Sequence, residues 1–277
     1  MKCQNLNHCG KLKKLLKRKL NEMISKDIIT VLQKIDVNHN DVVMIHADAI
    51  VAEQYNLNFY EHDMLNYIIN ILIDFFLPTG TIVVPTYTYS FTTNEIYDVI
   101  NSPSKIGLFS EKFRKKKGIM RSKNPLFSVA TVGRHAKKFE NSSFKTSFGK
   151  GSCFDVLHKL NGKIICLACN FDRITFTHYV EQKLKVNYRY LKKFLGQIVT
   201  NKKRRKITTD FYVRNLGIKS EIYLKSLKNL LLKEKQLKCS TLGRFAVSSV
   251  RVRHFEQGIK KIINKNPYGL ILEGSKN

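Results

Sequence analysis

The sequence predicts an α/β protein: a layered α/β/α domain around a central, mostly parallel or mixed sheet, with a β-rich insertion toward the C-terminus. Three observations predict it. Short apolar runs of strand length alternate with amphipathic segments of helical period. Several runs end in polar residues able to do chemistry, at His46, Thr86 and Asn170, as strands do where an α/β sheet opens a cleft beyond its carboxyl ends. Residues 187–213 lose the helical period and read as β, with a basic turn near residues 202–205.

The elements follow in order. Residues 2–19 form a basic, partly helical lead-in, and residues 26–35 have helical spacing. Asp41-Val-Val-Met-Ile45 is a buried strand ending at His46. Residues 62–77 form an amphipathic helix, because Ile68, Ile69, Leu72, Phe75 and Phe76 recur at helical intervals. Pro78-Thr-Gly80 stops it, and Thr81-Ile-Val-Val-Pro85 is the next strand. An irregular stretch over 86–104 precedes a short helix at 107–116 and a strand at 127–132. A helix over 151–160 leads into the apolar run Lys163-Ile-Ile-Cys-Leu-Ala-Cys-Asn170, and a helix over 175–186 follows. After the β insertion come a helical stretch at 220–238, a strand at 241–252 and a final helix at 254–264. The domain plan is a lead-in of residues 1–25 and a single domain of 26–277 with the insertion at 187–213.

Composition narrows the function classes. Lys and Arg number 49 against 21 Asp and Glu, a net charge of +28. The excess concentrates in Arg114-Lys-Lys-Lys117 and Lys202-Lys-Arg-Arg-Lys206 but runs through the whole chain, and no helix-turn-helix, zinc-finger or RNP pattern accompanies it. Solvated surface charge plus a small anionic ligand, a nucleotide or coenzyme, is the expectation; nucleic acid and membrane are not. The longest apolar stretch is broken by Asn70 and Asp74, and residues 1–20 lack the core of a secretion signal, so a cytoplasmic protein is expected. Cys166 and Cys169 form a C-x-x-C, but residues three apart on a strand point to opposite faces, and no second pair completes a metal site. They are expected to be buried thiols, with no metal. No G-x-S-x-G elbow marks a hydrolase, and Cys153 beside a helix start reads as packing.

Two segments carry chemistry. In Thr175-Phe-Thr-His-Tyr-Val-Glu181, His178 and Glu181 share a helix face, the arrangement of an imidazole general base oriented by a carboxylate. In Arg121-Ser-Lys-Asn-Pro-Leu-Phe-Ser128, an arginine and two hydroxyls flank a turn and could pin phosphate or pantetheine groups.

In this order the segments resemble the aminoglycoside 3-N-acetyltransferases. The family's H-x-S is matched by His46-Ala-Asp48, and its G-T-(apolar)-P-T-x-T by Gly80-Thr-Ile-Val-Val-Pro-Thr-Tyr-Thr88. Its R-S-x-H-P-x-x-S is matched by residues 121–128, with Asn124 at the His position. Phe148-Gly-Lys-Gly-Ser-Cys-Phe-Asp-Val-Leu157, the T-x-x-H-x-x-E of Thr175, His178 and Glu181, and the late strand Leu242-Gly-Arg-Phe-Ala246 complete the set, over residues 26–270. The GNAT pyrophosphate loop is absent.

The resemblance implies direct transfer from acetyl-CoA to an amine, with His178 as base and Glu181 orienting it. It also implies coenzyme contacts at His46, Asp48, Thr86, Arg121, Ser122, Ser128 and Thr177. Charge then favours a nucleotide-linked amino sugar for surface polysaccharide as acceptor, with aminoglycoside acetylation, a resistance activity, as the alternative. A non-catalytic basic module binding RNA or an anionic glycan is the reading from another class. A homodimer is left open.

Overall fold

The computed structural model describes residues 2–55 and 63–272, with the side chains of residues 2–14 outside that description. The chain begins with α1 (Lys2–Lys34), a single helix in place of the separate lead-in and helix expected. Its inner face, Ile24, Ile28, Val31 and Leu32, is buried, while Leu15 and Leu16 are half exposed.

Next come β1 (Val42–Ala47), α2 (Met64–Phe76) and β2 (Thr81–Pro85). The α2 start at His62 lies outside the described residues; Asp63 caps the helix by accepting the Asn66 amide at 3.1 Å. Ile68, Ile69 and Phe76 are fully buried, each worth about 1.5–3 kcal/mol of transfer from water. Gly80 is required at the turn into β2, because a Cβ there would lie 2.2 Å from the His39 carbonyl oxygen.

The stretch read as irregular contains β3 (Tyr97–Asp98), and α3 (Leu108–Arg114), β4 (Met120–Arg121) and β5 (Val129–Gly133) follow. Then come α4 (Ala136–Glu140), α5 (Cys153–Lys159), β6 (Lys163–Leu167) and α6 (Phe176–Leu184). The insertion is a long hairpin of β7 (Arg189–Thr200) and β8 (Lys203–Arg214), closed by Asn201 and Lys202, both at positive φ as a two-residue hairpin turn demands.

The last part departs from the sequence reading. The helix expected over 220–238 is only α7 (Lys225–Lys233), and the single strand expected over 241–252 is a hairpin of β9 (Leu237–Leu242) and β10 (Phe245–Arg251) before α8 (Val252–Lys265). The Leu/Lys spacing of 225–238 suits a helix, but Lys235 at φ 56° ends it, and Gly243 at φ 56° turns β9 into β10. Pairing with β10 overrides local propensity in β9.

The main sheet runs β4-β5-β2-β1-β6-β10-β9; β2, β1 and β6 are parallel and both wings antiparallel. A small sheet holds β3, β7 and β8. The parallel strands are buried on both faces, which explains their unbroken apolar runs. Val43, Ile45, Ile82 and Ile165 join the core under α1, α2 and α3, while Met44, Val83 and Ile164 join the core under α5, α6 and α8. This is the layered α/β/α arrangement. Among the described residues no helix is long and apolar enough to cross a membrane.

Candidate active site

Parallel strands β2, β1 and β6 release the chain at one edge of the sheet, so Thr86, Asp48 and Asn170 emerge together there. Beyond β6, Asn170 accepts the Asp172 amide at 3.0 Å and the chain turns into α6. Phe176 and Val180 anchor that helix in the core, and the Thr177 hydroxyl donates to the Ile174 carbonyl at 2.7 Å across its first turn.

The helix brings His178 and Glu181 into contact, Nδ1 to Oε2, at 2.7 Å. Glu181 is completely buried, whereas the His178 side chain keeps 21% of its exposure. Burial works against ionisation of Glu181, but the His178 hydrogen bond and the Arg189 charge outweigh it and hold the carboxyl below its ordinary value. An ionised carboxylate only accepts, so Nδ1 carries the proton. The lone pair is left on Nε2, which makes no hydrogen bond among the described residues. Burial, and then Arg189, hold His178 below its ordinary value against the upward pull of Glu181. The imidazole is therefore held neutral and oriented at neutral pH, with the negative charge on Glu181.

Arg189, which begins β7, sits behind the pair with Nε 2.7 Å from the same Oε2. Tyr188 and Tyr212 stand beside Glu181, and its carboxylate together with burial pushes both phenols up. Aromatic rings wall the other side. Phe148 meets the His178 ring edge-on at 5.3 Å between centroids, and Phe127 and Phe211 pack on Phe148. Phe211 comes from β8, so the inserted hairpin closes this side of the site.

The expected coenzyme residues divide into two groups. His46 is buried on β1, and its Nε2 has no hydrogen-bond partner among the described residues. Burial holds its imidazole down at about 4. Asp48 is exposed at the same edge, where its carboxylate accepts the Ile50 amide at 3.0 Å. The other five are engaged inside the protein. Arg121 donates to the Thr86 carbonyl at 2.7 Å and the Ser102 carbonyl at 2.5 Å, and to the Thr86 hydroxyl at 3.2 Å. Ser122 accepts the Val129 amide at 2.9 Å, and Ser128 donates to the Thr86 carbonyl at 2.7 Å. These bonds stitch β4, β5 and the β2 exit into one rigid wall. Asn124, which replaces the family's His, accepts the Leu126 and Phe127 amides and donates to the Thr146 carbonyl at 3.1 Å.

The C-x-x-C behaves differently from expectation. Ala168 at φ 53° breaks the strand alternation, and the Cys166 and Cys169 thiols influence one another's ionisation. Cys166 is buried and pushed up, while Cys169, partly exposed near Arg173, is held below its ordinary value. Cys153 is buried and pushed up to about 12, as packing requires. Arg189 and Phe211 were missed by sequence reasoning, and Phe148 was read only as part of a family-like segment, since only the fold joins them to the dyad.

Comparison with known proteins adds the family. A family model described as aminoglycoside 3-N-acetyltransferase matches residues 57–264. Among solved structures, AAC-IIIb in a binary complex with CoASH is similar at TM-score 0.73 and 19% identity, over 88% of this chain and 96% of that one. AAC-VIa bound to sisomicin is similar at TM-score 0.73 and 17% identity, over 87% and 97%. YokD from Bacillus subtilis is similar at TM-score 0.71 and 17% identity, over 87% and 93%. At such identities the likeness is one of fold.

Proposed function

The chain belongs to the aminoglycoside 3-N-acetyltransferase family, and from that premise we propose that it acetylates an amine of an aminoglycoside, with His178 as general base. It is an acetyl-CoA-dependent N-acetyltransferase. The carrying observation is the His178–Glu181 pair, which joins a buried, ionised carboxylate to an imidazole whose Nε2 is free.

Acetyl-CoA supplies an activated acyl group as a thioester. The unpartnered, buried Nε2 of His46 at the carboxyl edge of β1 suits such a ligand, since it offers a neutral imidazole to an amide or hydroxyl. We assign the direct coenzyme contacts to His46 and Asp48. Thr86, Arg121, Ser122, Ser128 and Thr177 hold the cleft wall in shape. As the acceptor nitrogen bonds to the acyl carbon, His178 Nε2 takes the amine proton, and the bond to sulfur breaks with the electron pair leaving on the coenzyme thiolate. Glu181 keeps the ring in its Nδ1–H tautomer and balances the imidazolium that forms. Phe127, Phe148 and Phe211 keep water from the side of the ring that they cover.

The acceptor order suggested by charge is reversed here. Support for an aminoglycoside comes from the family and from AAC-VIa, whose structure holds sisomicin. A nucleotide-linked amino sugar for surface polysaccharide is the second reading, favoured by the net charge of +28. A polycationic acceptor gains nothing from that field, whereas a diphosphate does. Use of acetyl-CoA fits a cytoplasmic location, and Tyr190, Leu191 and Leu195, exposed on β7, would suit a homodimer contact.

The test is thiol release from acetyl-CoA over a panel of aminoglycosides and nucleotide-linked amino sugars. Turnover with aminoglycosides that vanishes in His178→Ala supports the first reading; turnover only with nucleotide sugars replaces it with the second.

A further inference from the structure

A buried carboxylate beside an imidazole has two opposed effects. It orients the ring, and it favours the protonated ring, because an imidazolium–carboxylate pair satisfies both charges in a low-dielectric site. An imidazolium cannot accept a proton from an amine. A His–Glu pair buried alone would therefore tend to disarm itself.

Here a third charge lies against the pair. Arg189 Nε is 2.7 Å from Glu181 Oε2, the same oxygen that His178 Nδ1 approaches at 2.7 Å. The Arg189 side chain is 5% exposed and Glu181 is fully buried, so water hardly screens the contact. Arg189 also donates to the Tyr212 carbonyl at 3.4 Å, which ties it to the paired strand. Its Nε–H is not aligned as a hydrogen bond to Glu181, so the contact acts as an ion pair. With Arg189 charged, Glu181 is neutralised and the cluster is balanced while His178 is neutral; protonating the ring would bury a net positive charge.

We propose that Arg189 is a positioning residue for acetyl transfer: by sharing Glu181 Oε2 with His178 it keeps the imidazole neutral and the Nε2 lone pair available. The inference rests on His178 acting as the base. The titratable and charged groups facing the cluster are Glu181 on α6, Arg189 on β7, Tyr188 just before it and Tyr212 on β8. Both tyrosines are pushed up and stay uncharged through the working range. Arg189 thus supplies the counter-charge to Glu181. Burial of the ring acts in the same sense, and Arg189 adds to it.

The test reads the charge of His178 directly, by 15N NMR of histidine-labelled protein, with its signals assigned by their loss in His178→Gln. In the wild type the ring is neutral at pH 7, with the proton on Nδ1. In Arg189→Gln its midpoint rises by about one pH unit or more, the usual scale for removing a close opposing charge. The acid limb of kcat/KM moves up with it. Arg189→Lys, which keeps the charge, restores most of the wild-type midpoint. A His178 midpoint that does not move in folded Arg189→Gln overturns the proposal. So does a wild-type ring that is doubly protonated at pH 7, a result that stands even if Arg189→Gln does not fold. The NMR reading needs no turnover, so a protein that shows the shift but acetylates nothing refutes the proposed function and leaves the charge arrangement standing.

Discussion

His46 should make this protein lose stability in an acid window of its own. The imidazole is 7% exposed on a central strand, its Nε2 is unpartnered, and burial lowers it from 6.5 to about 4. Because the folded value lies below the unfolded one, the unfolded chain binds the proton first. The contribution is complete above pH 6.5 and is lost as pH falls toward about 4. At about 1.4 kcal/mol per pH unit, the shift corresponds to about 3 kcal/mol, which is a large part of the total for a single domain.

The perturbation is His46→Leu, which removes the titrating group and the unpartnered nitrogen at similar volume. The assay is urea unfolding of both proteins at intervals from pH 7.5 to 4. At neutral pH the variant should lie within about 2 kcal/mol of the wild type, because lost packing and relief of an unsatisfied polar atom oppose each other. On acidification the wild type should lose about 3 kcal/mol more than the variant. Glu111 and Glu256, both held down at about 2, add their own acid losses equally to both proteins and cancel in the difference. Parallel stability curves would refute the reasoning, because His46 would then be hydrated or charge-paired in the folded state.

Three further outcomes are expected. His178→Ala should lower kcat by about 10²- to 10⁴-fold, measured by thiol release, and should cost about 1–3 kcal/mol in urea unfolding because the buried Glu181 carboxylate loses a hydrogen-bond donor. Arg121→Ala should cost about 3 kcal/mol in urea unfolding, because it strips donors from the buried Thr86 carbonyl and the part-buried Ser102 carbonyl. Wild-type stability with a raised KM for acetyl-CoA would instead put the guanidinium on the coenzyme. In a Cys3→Ser/Cys9→Ser background, iodoacetamide at pH 7 should label Cys169 before Cys153, Cys166 or Cys239, since it alone of these is held below its ordinary value; peptide mass spectrometry would show the order.

Much of this arrangement was legible in the residues. The parallel strands β1, β2 and β6 are covered on both faces, so each had to be an unbroken apolar run, and such runs are visible without a structure. The long amphipathic α2 was visible because its stripe repeats at helical period. His178 and Glu181 lie three residues apart on one helix, so their contact is local and spacing alone predicts it. Where the structure adds to the sequence reading, the deciding contact was distant. β9 became a strand because β10 pairs with it, although Leu237 and its neighbours also suit a helix. Arg121 has the chemistry of a phosphate clamp, and only the packing of β4 against the β2 exit turns its donors toward carbonyls. Cys166 and Cys169 belong to opposite faces of an ideal strand, but the left-handed Ala168 between them breaks that alternation. The sequence by itself determined the layers, the cleft edge and the contact of His178 with Glu181, since these follow from local periodicity and from neighbours one helical turn apart. Tertiary structure alone decided which charge stands behind that pair. Arg189 reaches Glu181 because the chain reverses after α6, where Lys185 adopts φ 54°, and ion pairing in a buried site depends on distance in space rather than on separation along the chain.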